Sequence, residues 1–73
     1  MTINIECLKP LMKPGYVAMD ETGFWAWYSA KPTLIEDVGC WNIDPVEHPW
    51  YNLKAFDIKP ADDWKTSLQE CGL

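Results

Sequence analysis

Arginine is missing from this chain altogether, and histidine occurs once, at His48. Arginine reads guanine edges and grips phosphate bidentately, so its absence weighs against direct nucleic-acid binding. There is no glycine-rich run of the GxGxxG or GxxxxGK kind, which leaves nucleotide binding without support. Cys7, Cys40 and Cys71 are odd in number and far apart. None lies in a CxxC pair, the arrangement that gives zinc motifs their specificity. Together with His48 they would make a Cys3His set that zinc accepts in kind, but the spacing opposes it. The expectation is therefore no metal and no cofactor, with thiols kept buried in a reducing compartment. Nothing approaches the ~18 apolar residues of a membrane-spanning helix. The opening Thr2-Ile3-Asn4-Ile5-Glu6 has neither a basic segment nor an apolar run of signal length. These absences point to the cytoplasm and to no membrane partner.

Catalytic sets are also absent. A Cys–His nucleophilic pair has no local signature, and a chain of 73 residues leaves little room for a cleft. The acidic neighbours Asp20-Glu21, Glu36-Asp37 and Asp62-Asp63 are adjacent in sequence. On a strand, adjacent side chains point to opposite faces, whereas paired-carboxylate catalysis needs both groups to converge on one bond. They read as turn and helix-start acids, and an enzyme is not expected.

What the chain does have is acid and aromatic surface. Eleven Asp and Glu against six Lys give a net charge of -5, and five of the residues are tryptophan. The acidity suits solubility, or a basic partner such as the nucleic-acid site of another protein. Residues 1–73 read as one domain. A domain this small buries only about 60% of its unfolded surface, and large aromatics, at roughly 150–250 Å² each, offset that.

The centre of the sequence is Tyr16 to Tyr28. Val17, Met19, Trp25 and Trp27 alternate with Tyr16, Ala18, Ala26 and Tyr28, the period of a strand. A three-residue loop Glu21-Thr22-Gly23, with Gly23 in the left-handed region, predicts a hairpin. It pairs Asp20 with Phe24, Met19 with Trp25, Ala18 with Ala26, Val17 with Trp27 and Tyr16 with Tyr28. One face, Val17, Met19, Trp25 and Trp27, reads as core. The other, Tyr16, Ala18, Phe24, Ala26 and Tyr28, is apolar too, although a half-exposed strand should be polar at every second position. It must be covered by other parts of the chain, by a second subunit or by a ligand.

Elsewhere, Thr2–Leu8 reads as a first strand, with Ile3, Ile5 and Cys7 on one side. Pro10 and Pro14 mark a connection. Thr33–Ile35 and Cys40–Ile43 read as short strands about a turn. Asp44–Pro49 is a stiff loop that presents or packs Trp50 and Tyr51, and Leu53–Ile58 reads as a last strand. For Ala61–Cys71 the pattern predicts a helix: Pro60 at its start, acids Asp62 and Asp63 in its first turn, a core stripe of Trp64, Leu68 and Cys71, and Gly72 as cap. The expected fold is α+β, a small antiparallel meander of four to five strands packed on one C-terminal helix.

The segment Gly23-Phe24-Trp25-Ala26-Trp27-Tyr28-Ser29-Ala30-Lys31-Pro32, followed by a turn and Trp41 and closed by Asp63-Trp64-Lys65-Thr66-Ser67-Leu68-Gln69-Glu70, resembles short acidic tryptophan-rich proteins of tailed bacteriophages and prophages. The resemblance implies a phage or prophage origin and a host cytoplasm, and carries no functional residue across. The function expected is a non-enzymatic protein–protein interaction module, self-associating as a dimer, binding or inhibiting a host protein that is basic, or both. Its candidate surface is Tyr16, Ala18, Phe24, Ala26 and Tyr28, with Trp50 and Tyr51 as a second patch. The alternative is a small-ligand domain in which Trp41, Trp50 and Tyr51 stack on a sugar or base.

Overall fold

The computed structural model describes residues 2–72. Its centre is the hairpin of β1 (Gly15–Met19) and β2 (Trp25–Tyr28), in the register read from the sequence: Tyr16 opposite Tyr28, Val17 opposite Trp27, Ala18 opposite Ala26 and Met19 opposite Trp25. Asp20 closes the turn. Its backbone N–H donates to the Phe24 carbonyl at 3.0 Å, and its side chain accepts from the Thr22 and Phe24 N–H groups at 3.0 and 3.2 Å and from the Thr22 hydroxyl. Gly23 adopts φ 93°, a conformation a Cβ would oppose.

The rest is not a meander on a helix. β3 (Thr33–Ile35) and β4 (Cys40–Asn42) pair only with each other, as a separate two-stranded sheet. β5 (Trp50–Asn52) returns to pair with β2, and β6 (Gln69–Cys71) returns to pair with β1, giving the order β5-β2-β1-β6 with every neighbour antiparallel. The α+β expectation is thereby overturned. Among the described residues the molecule is mostly antiparallel sheet, six strands in two sheets, and the α-helix, α1 (Ile5–Leu8), stands near the N-terminus.

Each departure has a local cause. At Thr2–Leu8, Asn4 caps a helix by accepting from the Glu6 N–H at 3.0 Å, and an Asn at that position competes well with extended structure. Ile5 is then buried while Cys7 faces solvent; only Ile3 keeps a strand-like bridge, to Ile58. At Ala61–Cys71 a single 3-10 turn, Trp64–Thr66, forms behind an Asp63 cap. The stripe of Trp64, Leu68 and Cys71 does not share one face: Trp64 and Cys71 pack in one core and Leu68 in the other. What ends the helix is the free side of β1, whose backbone groups need partners that β6 supplies. Ser67, 3% exposed, locks the junction. It accepts from the Met19 N–H at 2.8 Å and lies within donor reach of the Met19 and Trp64 carbonyls at 3.1 and 2.7 Å. The strand expected at Leu53–Ile58 forms three residues earlier, at Trp50–Asn52.

The large sheet is packed on both sides. One face buries Val17, Met19, Trp25 and Trp27 with Ile5, Ile58 and Cys71. The other buries Ala18, Ala26 and Tyr28 beneath Trp41, Ile43 and Leu68. The buried indoles keep their N–H groups bonded, as such groups require: Trp25 to the Lys59 carbonyl at 3.2 Å and Trp27 to the Lys13 carbonyl at 3.0 Å. The chain also approaches itself closely at Gly15, where a Cβ would stand 2.5 Å from the Tyr28 carbonyl.

Candidate functional site

The doubly apolar hairpin is explained by the chain itself. The β3–β4 hairpin and the segment around Leu68 cover the second face, so Ala18 (1% exposed), Ala26 (8%) and Tyr28 (7%) are core and not surface. Tyr16 is half-buried against the same cluster. Of that first patch only Phe24 is exposed, with the Lys54 ammonium 5.1 Å above its ring. Burial pushes the Tyr28 phenol up to about 12, helped by the negative charge of Asp20 and then by Cys40.

Trp50 and Tyr51 are exposed, and both lie in β5. Successive strand residues point to opposite faces, so the two rings part company. Tyr51 stacks on Trp27 at 5.5 Å between centroids, and Trp50 stacks on Tyr28 at 6.2 Å. Trp41 covers the face that carries Trp50. Trp41, Trp50 and Tyr51 therefore do not form one stacking platform. The Trp41 indole N–H also donates inward, to the Met19 carbonyl at 3.1 Å and the Trp64 carbonyl at 3.3 Å, which leaves its ring face and not its donor to any ligand.

What converges instead is Tyr28, Trp41 and Trp50. These rings, from β2, β4 and β5, line a hollow of about 220 Å³ together with Asn42, Ile43 and Pro45. They also line an adjoining groove of about 330 Å³ that runs along the sheet over Ala26 and Asn52 to Phe24 and Lys54. Small Ala26 between larger neighbours makes the depression. Asn52 and Lys54 escaped the sequence reading. The signal available was the alternation Trp50, Asn52, Lys54, which is hidden because Leu53–Ile58 carries the more obvious apolar residues.

The edge of β5 completes the site. The Ser29 N–H donates to the Pro49 carbonyl at 3.1 Å, and the Leu53 N–H donates to the Trp25 carbonyl at 2.8 Å. With Tyr51 opposite Trp27, residues 49, 51 and 53 turn their backbone toward β2. The alternating pattern of an antiparallel ladder then turns the backbone N–H and carbonyl groups of Trp50 and Asn52 outward. The other edge of the sheet is different. The Gly72 N–H donates to the Lys9 carbonyl at 2.8 Å and the Lys9 ammonium to the Gln69 side chain at 2.6 Å, so the N-terminal helical segment lies against β6.

The cysteines stand apart in exposure: Cys7 exposed, Cys40 half-buried, Cys71 buried. Among the described residues no group of three or more His, Cys, Asp or Glu side chains is placed to hold a metal ion, and no helix is long and apolar enough to cross a membrane. Comparison with protein-family models, curated proteins and solved structures finds no match.

Proposed function

We propose that this domain is a non-enzymatic protein–protein interaction module that adds an extended segment of a partner to the free edge of β5. The observation that carries the reading is that edge: the Trp50 and Asn52 backbone groups face outward, between two exposed aromatic rings on opposite faces. Unpaired edges template strand addition, and proteins ordinarily blunt them with lysine, proline or a cover. Here the β6 edge has its cover, and Trp50–Asn52 holds no charge at all. Strand addition supplies main-chain hydrogen bonds for affinity and side-chain pockets for selection.

The net charge of -5 favours a basic partner over a second copy of the same acidic chain, since like charges oppose association. The resemblance to phage proteins would make that partner a protein of the host. Dimerisation through β5 is the rival outcome. The test is NMR titration with a short peptide alternating lysine and valine, beside a glutamate–valine control. The expected result is that the Trp50 and Asn52 amide protons shift and gain protection from exchange with the basic peptide only. Asn52→Pro removes an outward N–H at a position where an edge strand tolerates proline, and should abolish that binding. Protection of the same amides that rises with protein concentration and no peptide would establish the dimer and refute the heterologous reading.

A further inference from the structure

We infer that the hollow between Tyr28, Trp41 and Trp50 is a cation site, and that it receives the ammonium or guanidinium end of a basic side chain from the segment bound on β5. The inference rests on the reading of β5 above and gives its partner a chemistry. Three aromatic rings from three strands line one hollow of about 220 Å³, and the negative face of an aromatic ring attracts a cation, most strongly for tryptophan. The Trp41 indole N–H is spent on two backbone carbonyls. Trp41 therefore offers a ligand its π face but no donor, which suits a cation better than a sugar or base that needs hydrogen bonds.

Charge points the same way. None of the residues lining the hollow is basic, and Asp44 and Glu47 flank Pro45 and Val46 on the loop that forms one wall. On the same sheet face, the adjoining groove already holds one cation on a ring, the Lys54 ammonium 5.1 Å from the Phe24 centroid. Lys54 sits on the Phe24 ring, and neither it nor any other lysine is among the residues lining the three-ring hollow. Trp50 belongs to the edge strand itself. A residue placed opposite it in an added strand would stand about 4.5–5.5 Å away, Cβ to Cβ, and a long basic side chain would reach the hollow from there.

The experiment compares choline with its uncharged carbon isostere, dimethylbutanol, by following the five indole N–H signals in NMR. Choline should shift the Trp41 and Trp50 signals saturably, and the isostere should bind at least ~10-fold more weakly. Equal affinity for the two would show a merely apolar groove and overturn the inference, as would no response to either. Trp50→Leu, at a half-exposed position, should lose choline binding while the four other indole signals keep their dispersion; retained binding would also overturn it. Asn52→Pro separates this site from the reading it rests on, because it blocks the edge without touching a ring. Choline binding should survive in that variant while the lysine–valine peptide is lost. If the wild type bound choline but not the peptide, strand addition would fall and with it the side-chain occupant. If it bound the peptide with Trp50 and Asn52 protected but ignored choline, only the cation site would fall.

Discussion

β2 and β5 are neighbouring strands built of the same material, and they meet opposite fates. Trp25, Ala26, Trp27 and Tyr28 are all buried; Trp50, Tyr51 and Asn52 are all exposed. Their rings touch across the ladder, Trp27 with Tyr51 and Tyr28 with Trp50. What differs is position. β2 has a strand on each side and a core on each face, whereas β5 has β2 on one side and, among the described residues, no strand paired on the other. Trp25 and Trp27 on β2 therefore serve stability, Tyr28 serves both the core and the hollow, and the rings of β5 remain available for binding.

The comparison is broken most severely by truncating the two strands in turn. Trp27→Ala removes a buried indole and the hydrogen bond to the Lys13 carbonyl. Large-to-small changes of this kind cost about 3–5 kcal/mol, a large share of the ~5–15 kcal/mol that holds a domain together. Urea denaturation should find Trp27→Ala largely unfolded. A Trp27→Ala protein as stable as wild type would mean that the first face of the sheet is not the core. Next in size is Ser67→Ala, which orphans the buried Met19 N–H and should lower stability by about 1–3 kcal/mol. Far-UV and near-UV spectra of this variant should stay native-like. Smaller again is Tyr51→Ala, which loses a stacked pair worth about 0.5–1.5 kcal/mol and little burial. A loss as large as that of Trp27→Ala would erase the distinction between the strands.

The difference between these two strands also marks how far the sequence could be read. The hairpin was legible to the residue, because Val17, Met19, Trp25 and Trp27 alternate strictly and Gly23 punctuates the turn. Its register needed nothing from elsewhere in the chain. β5 and β6 were not legible, because three-residue strands have almost no period. Both exist because β2 and β1 have free backbone edges, a property of the assembled sheet and not of residues 50–52 or 69–71. Pro49 looked like a loop residue and is in fact the residue just before the strand, where its carbonyl accepts from Ser29 and a missing N–H costs little. Trp64, Leu68 and Cys71 have helical spacing, yet a strand joined to a 3-10 turn distributes them to two cores instead of one. The burial of Ala18, Ala26 and Tyr28 has the same origin. Whether the second face of the hairpin is a binding site or core depends on where residues 40–43 fold back, and local pattern does not specify that. Trp50 and Tyr51 were found by residue type alone, and their separation onto opposite faces became visible only once β5 was known to be a strand.

Cysteine chemistry sharpens the contrast between interior and surface with a smaller effect. Burial pushes the Cys71 thiol up, against the lowering influence of Trp27, and its sulfur lies 3.6 Å from the Lys13 carbonyl. Cys7 is exposed on α1. In the native protein a disulfide reagent should modify Cys7 quickly and Cys71 only as the sheet opens, since thiolate content and access together set the rate. Labelling of Cys71 as fast as Cys7 would mean that the β1–β6 side opens readily and that β6 is not a secure edge.

The finest test concerns one ring on the buried strand. The Tyr28 phenol is raised from 10.0 to about 12, chiefly by burial and then by Asp20 and Cys40. An unfolded chain releases that proton near the ordinary tyrosine value, while the folded protein holds it longer. Below the unfolded value both states are protonated and the native state keeps its full stability. As pH climbs from 10 toward 12, the unfolded state binds fewer protons than the folded one, so stability falls with rising pH through that window. Tyr28→Phe removes the titrating group and keeps the ring stacked on Trp50. The readout is the difference between the two proteins, which cancels every group they share. The urea midpoint of the wild type should fall more steeply than that of Tyr28→Phe across the window and run parallel to it below the window. Parallel profiles throughout would place the Tyr28 hydroxyl in water, which would open the second face of the sheet to solvent and return Ala18 and Ala26 to the set of surfaces a partner could reach.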